Sequence, residues 1–253
     1  MRLLAVLAVA SVIAVSCSSS EPETAGGELS TVDEVSHAPG AQTTGRLTVE
    51  GFAVDYVAIT PDGFVTGNTA PVLIAFPPGG QDFATTQSVA NETYLTEAVA
   101  RGWVVFSPAA PERGTLWFDQ SADLVPEILD WIETWVEPEN GRFHVAGISN
   151  GGLSTFALAA RVPDRIESMV VFPGFPRTDS EIESFPALLD IPILMFVGGN
   201  DPTWIAPMEA AADAIAELGG EVELEVFPGE CHIIGALREG VRVFDELEAN
   251  RAG

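Results

Sequence analysis

The sequence predicts an α/β fold, a mostly parallel central sheet with helices on both faces. Three observations carry this. Continuous apolar runs such as Val72-Leu73-Ile74-Ala75-Phe76 and Ile193-Leu194-Met195-Phe196-Val197 suit strands covered on both sides. Helical patterns alternate with these runs, which makes successive strands parallel. One run, Phe143 to Ile148, leads through a turn of small residues directly into a helix, FHVAGISNGGLSTF.

Taken in order, the folded part starts at Arg46. Leu47 to Gly51 and Phe52 to Ile59 alternate in polarity and meet at a glycine, which predicts an antiparallel pair. The strand ending at Phe76 runs into Pro77-Pro78-Gly79-Gly80-Gln81-Asp82. A helix over about Thr85 to Ala100 stops at Gly102, and the strand Trp103 to Phe106 follows. Ser121-Ala122-Asp123-Leu124 opens a helix carrying Ile128, Leu129, Ile132 and Val136. After the Phe143 strand and its helix come strands at Ser168–Phe172 and Ile193–Val197, then a helix over about Ile205 to Leu218. The last strand is Val222 to Phe227, and a helix over about Ile233 to Ala249 closes the chain. About 20 residues separate the strands at Phe172 and Ile193, too few for a cap domain.

Composition narrows the function. The chain has 253 residues and is 47% hydrophobic, enough for one larger α/β domain with a sizeable core. Its formal charge is -26, from 37 acidic against 11 basic residues, and every basic residue is Arg. Without lysine there is no Schiff-base chemistry, no Walker-type phosphate lysine and no Ser-Lys dyad. So acidic a surface repels nucleic acid, and the charge reads as solubility. The two cysteines, Cys17 and Cys231, form no CxxC or Cys/His cluster, which argues against zinc.

Gly147-Ile148-Ser149-Asn150-Gly151 matches G-x-S-x-G, with the strand before and the helix after that this pattern requires. A serine on such an elbow stands clear of the backbone. It needs a histidine base, itself oriented by an acid. Asp201, on the loop after the Ile193 strand, and His232, after the last strand, follow Ser149 in that order. Asp179 and Glu183 are alternative orienting acids. His144 begins the nucleophile strand; at about 3.3 Å per residue it lies roughly 16 Å from Ser149 and reads as structural. His37 reads as idle, and Cys231 as a lone buried thiol. For the oxyanion, the motif supplies the backbone N–H of Asn150, and the loop after Phe76 supplies a second donor, Gly80 or Gln81. Trp117 and Trp204, on loops at the same end, either wall a substrate pocket or fill the rim.

With these pieces in place, residues 46–253 resemble an α/β-hydrolase. The matching pieces are Gly147-Ile-Ser-Asn-Gly-Gly, the Gly-Gly-Gln loop, Gly199-Asn-Asp201 and Pro228-Gly-Glu-Cys-His232. The Ser-Asn-Gly-Gly form is similar to secreted polyhydroxybutyrate depolymerases, to feruloyl-esterase-like carboxylesterases and to dienelactone-hydrolase-like enzymes. The chain departs from many relatives at Pro77-Pro78, where they carry His-Gly. The resemblance implies a serine ester hydrolase with Ser149, His232 and Asp201 as its triad, needing no metal or organic cofactor. Its substrate would be a small or polymeric ester. An amide hydrolase on the same fold and a non-catalytic ligand-binding lipoprotein are the alternatives.

The N-terminus bears on location. Met1-Arg2 and an apolar run of about 13 residues have the shape of a secretory signal over residues 1–16, too short to span a bilayer. Ala14-Val15-Ser16-Cys17 resembles a bacterial lipobox, with Ala14 where a larger aliphatic residue is commoner. That implies a cell-envelope protein lipidated on Cys17, touching the membrane only through the anchor; free secretion is the alternative. Residues 17–45, rich in Ser, Thr, Glu, Gly and Pro, are expected to be a disordered tether, reaching roughly 30 Å.

Overall fold

The computed structural model describes residues 39–111 and 114–251. The expected signal, Cys17 and His37 lie outside the described residues. Strands β1 (Ala41–Val49) and β2 (Phe52–Thr60) form an antiparallel hairpin. β1 therefore begins inside the stretch expected as tether, and the boundary at Arg46 is corrected to Ala41. Ala41 to Gly45 carry no apolar alternation because β1 is an edge strand. Its backbone pairs only with β2, and its first residues are half-covered.

After the short β3 (Thr69–Ala70), β4 (Val72–Phe76) leads into α1 (Phe83–Val89). The Asp82 carboxylate caps α1 by accepting from the Thr85 N–H and hydroxyl, which holds its carboxyl below the usual range. A π turn, Ala90–Tyr94, widens the helix before it continues as α2 (Leu95–Arg101). Gly102, at φ 81°, ends α2. Then come β5 (Val104–Pro108), α3 (Val125–Glu133), β6 (Glu137–Pro138), β7 (Phe143–Gly147) and α4 (Asn150–Arg161). The chain ends with β8 (Ile166–Val171), α5 (Asp179–Glu183), β9 (Ile193–Gly198), α6 (Pro202–Glu217), β10 (Val222–Phe227) and α7 (Val241–Ala249).

Eight strands form the main sheet in the order β1-β2-β5-β4-β7-β8-β9-β10. From β5 to β10 all neighbours are parallel; β3 and β6 make a separate two-stranded patch. The strand order reverses beside β4. The chain steps from β4 outward to β5, then crosses back to β7 on the other side. Ligands of open α/β sheets bind where the order reverses, outside the carboxyl ends of the strands. Here that point lies between the ends of β4 and β7, at Phe76 and Gly147, which are direct partners.

Two apolar layers sandwich the sheet. One buries Ile128, Leu129 and Ile132 of α3, Phe156 and Ala159 of α4, and Met208 and Ile215 of α6 against the strands. The other buries Ala98 of α2 and Val243, Phe244 and Leu247 of α7. Each of the larger side chains among these, Val, Leu, Ile, Met or Phe, contributes roughly 1.5–3 kcal/mol. The last helix starts later than its pattern suggests. Ile234 and Leu237 do turn inward, but on an irregular segment, and α7 begins only after Gly240, whose φ of 74° brings it against the Thr93 carbonyl. Every described arginine has a carboxylate partner within salt-bridge distance, so the sparse cations are spent inside the acidic surface.

Candidate active site

Ser149 sits between β7 and α4 at φ 57° and ψ -117°, a conformation that L residues rarely adopt. The glycines around it hold it there. A Cβ on Gly147 would fall on the Gly151 carbonyl, and one on Gly151 would fall on the carbonyls of Phe76 and Pro77. A Cβ on Gly152 would meet the Pro173 carbonyl, beyond the end of β8. The elbow is thus clamped by backbone from β4 and β8. Its serine is 9% exposed.

The acid turn and the histidine loop are tied together in the same way. Gly199 N–H donates to the Phe227 carbonyl at 2.8 Å, and Asn200 N–H to the Glu230 carbonyl at 2.9 Å. The Asn200 side chain donates to the Gly229 carbonyl at 2.9 Å. Gly198 lies so close to the Cys231 carbonyl that no side chain fits there. This docking carries His232 over the sheet edge. Its Nδ1 lies 2.6 Å from Asp201 Oδ2, and its Nε2 lies 2.7 Å from Ser149 Oγ. We assign the proton to Nδ1, because an ionised carboxylate only accepts; Nε2 is then free to accept from the serine hydroxyl. The Asp201 side chain is 12% exposed and that of His232 37%, so the carboxylate is sheltered while the imidazole is partly open to solvent. His232 bonds neither Asp179 nor Glu183, both of which lie in α5.

The loop after β4 separates the two expected oxyanion residues. Gln81 is completely buried at φ 54°, with every polar group engaged. Its N–H donates to the Pro78 carbonyl, and its Nε2 to the Pro77 carbonyl and to Ser154 Oγ. Its carbonyl accepts from Ala110 N–H, and its Oε1 from Trp117 N–H. The expectation of Gln81 as a donor is therefore corrected: it is the internal brace of the loop. Gly80 makes no such contacts, and the preceding Gly79 carries the positive φ of 61°. The Gly79 carbonyl accepts from the Asn150 side chain at 2.7 Å, which fixes the plane of the Gly79–Gly80 peptide. Sequence reasoning missed that contact, although an Asn directly after the motif's serine was its signal. Asn150 N–H opens α4, where the first N–H groups have no intrahelical partner.

The two tryptophans part company. Trp117 is corrected from pocket wall to core: it is 1% exposed, packs 5.9 Å from Phe76, and its Nε1 donates to the Pro108 carbonyl. Bonding by Gln81 draws it beneath the loop. Trp204 is half-buried with its ring centroid 4.8 Å from that of His232, and it is backed by Phe175 at 5.1 Å. No sequence pattern marked Phe175. Cys231 is also corrected: it is a free thiol, but exposed, because its loop rides over the end of the sheet. His144 is buried at the far end of β7, where desolvation pushes its pKa down to about 4.

Comparison with known proteins agrees with this architecture. The sequence profile of the dienelactone hydrolase family matches residues 42–239. No curated protein matches the chain by sequence. Among solved structures, a thermostable esterase superposes with a TM-score of 0.63 at 16% identity, over 82% of this chain and 61% of the other. The chain thus spans about three-fifths of that esterase. A feruloyl esterase module from Clostridium thermocellum gives 0.60 at 13% identity, over 79% and 86% of the two chains. Est1E from Butyrivibrio proteoclasticus gives 0.58 at 15% identity, over 82% and 96%. At such identities the likeness is one of fold. The family profile runs from β1 past the His232 loop and so spans Ser149, Asp201, His232 and the Gly79–Gln81 loop: the chain belongs to the dienelactone hydrolase family and has the α/β-hydrolase fold.

Proposed function

We propose that the protein hydrolyses carboxylic esters through an acyl-enzyme, with Ser149 as nucleophile, His232 as general base and Asp201 as its orienter. One observation carries this: the His232 ring is bonded on both sides, 2.6 Å to Asp201 and 2.7 Å to a serine held at positive φ. Ser149 Oγ attacks the ester carbonyl and its proton passes to Nε2. Asp201 stabilises the imidazolium so formed. The backbone N–H groups of Asn150 and Gly80 take the oxyanion, each such donor contributing about 2.7–4 kcal/mol to the transition state. The intermediate collapses, His232 returns the proton to the departing alcohol, and a water repeats the cycle on the acyl-enzyme to release the acid. No step calls for a cofactor. Structural neighbours named as esterases support the ester reading; neighbours named as dipeptidyl peptidases share the fold, so the choice of ester over amide rests on the family match.

The reading extends to location. Support for export and lipidation on Cys17 is the N-terminal sequence alone, and an ester substrate, small or polymeric, is the expected partner. The test of the chemistry is Ser149→Ala. On short p-nitrophenyl esters kcat should fall by on the order of 10^6-fold, with an unchanged circular dichroism spectrum and no labelling by a fluorophosphonate. Turnover that survives the substitution would overturn the assignment.

A further inference from the structure

We propose that a small apolar cavity beside the Ser149–His232 pair takes one hydrocarbon arm of the ester, and that this arm is a short aliphatic chain. The inference rests on the ester-hydrolase reading and specifies its substrate. The cavity measures about 110 Å³. Its walls include the residue just before the nucleophile, Ile148, and the residue just after the base, Ile233. Pro78, from the loop that carries the proposed Gly80 donor, closes a third side. Ser149 and His232 do not line the cavity themselves, but its walls adjoin both along the chain, so a chain leaving the reacting carbon toward Ile148 and Ile233 is directed to it. Ile233 is 56% exposed, a large apolar side chain that a bound chain would cover.

Size and rim set the length. A cavity of roughly 150 Å³ lined by aliphatic residues takes benzene, so this one has room for a chain of about four carbons. The lining also includes a charged pair, Glu92 and Arg238, which we place at the rim. Arg238 donates through Nε at 3.0 Å and through Nη2 at 2.5 Å to Glu92 Oε2, whose other oxygen accepts from Ser88. A longer chain would lie against this ion pair, desolvating it with no apolar surface to cover in return. Glu92 is delivered by the π turn between α1 and α2, an insertion of the kind that recurs at functional sites.

Two substrate series test the idea in the full domain. One holds the leaving group fixed (p-nitrophenyl acetate to decanoate); the other holds the acyl group fixed (methyl to octyl acetate). The readout is the ratio of kcat/KM values within a series, which does not depend on the fraction of folded enzyme. In wild type the ratio should peak near four carbons in one series, each accepted methylene contributing about tenfold at most sites of this kind. Val89→Phe, which fills the cavity from α1, should lower the four-carbon to two-carbon ratio by up to about 100-fold, roughly tenfold for each of the two methylenes shut out. Arg238→Ala, which removes the charged lip, should move the optimum to longer chains. A response in the acyl series places the acyl arm in the cavity, and a response in the alkyl series places the alcohol arm; either supports the proposal. Ratios that neither variant alters in either series overturn it while leaving ester hydrolysis intact. A wild-type enzyme that turns over no member of either series overturns both readings.

Discussion

The fold contains the same pair of residues twice, once at each end of β7. At the carboxyl end, His232 Nε2 lies 2.7 Å from Ser149 Oγ. At the other end, His144 Nδ1 lies 2.7 Å from Ser168 Oγ. Only the first pair has the geometry that the proposed reaction needs. Ser149 stands on an elbow at positive φ, whereas Ser168 is a cross-strand partner within β8, completely buried. His232 is partly open to solvent and has Asp201 behind it. His144 is 2% exposed and packed against Trp103 at 4.7 Å, and among the described residues no carboxylate bonds its ring. A His–Ser hydrogen bond is therefore not a catalytic device by itself. It becomes one when an acid fixes the tautomer, the backbone lifts the serine, and a substrate can reach both.

The strongest way to break the contrast is to remove the acid. Asp201→Asn leaves His232 and Ser149 in place but turns the site into a second His144 site, a pair without a carboxylate. The amide then favours the wrong tautomer, and kcat should drop about 10^4-fold with little change in KM. Steady-state kinetics on p-nitrophenyl acetate reads this. A loss below about tenfold would mean that another acid orients the ring, and Glu183 or Asp179 would return as candidates.

The second prediction works on the inert pair. Burial lowers the His144 pKa from 6.5 to about 4; the nearby Glu139 carboxylate raises it and the Arg251 guanidinium lowers it, both to a smaller extent. Between those two values the unfolded chain binds a proton that the folded one refuses. Stability from this group is thus complete above about pH 6.5 and is lost as pH falls toward 4, by about 3 kcal/mol. Denaturant melts of wild type and His144→Gln across that range should show their stability difference shrinking by about this amount. Activity near neutral pH should not move, because His144 touches no reacting group. Parallel pH dependence in the two proteins would show that the ring is as easily protonated folded as unfolded.

The contrast also explains what could be read from the sequence. The order Ser149, Asp201, His232 names the three groups that the fold brings within hydrogen-bond reach, and the distance along β7 separates His144 from them. The first inference uses the chain order that goes with the elbow motif, and the second uses only strand geometry. The sheet was legible where strands are buried on both faces, as in Val72–Phe76 and Ile193–Gly198. It was not legible in the first residues of β1, whose pairing is by backbone and leaves no apolar pattern. Gln81 and Trp117 were misjudged for one shared reason. Each sits on a loop near the site, and only the three-dimensional path of that loop shows the Gln81 amide turned inward and the indole drawn under it. The tie between the acid turn and the histidine loop is equally silent, since it joins N–H groups of Gly199 and Asn200 to distant carbonyls.

Trp204 sharpens the comparison most finely, because both histidines carry an aromatic neighbour. Trp103 lies against His144 within the core. Trp204 lies at 4.8 Å and 53° from His232, itself braced by Phe175, on the ring that becomes an imidazolium in the proposed reaction. An aromatic face beside a forming cation contributes about 0.5–1 kcal/mol at a partly exposed site, which corresponds to roughly 2–5-fold in rate. As a positioning residue, Trp204 should affect kcat more than KM. Trp204→Ala should lower kcat within that range, and Trp204→Phe, which keeps a ring beside the imidazole, should recover most of it. If the alanine and phenylalanine variants are equally impaired, the ring face contributes nothing and Trp204 serves only as a wall. If both match wild type, His232 is held by Asp201 and its own loop alone.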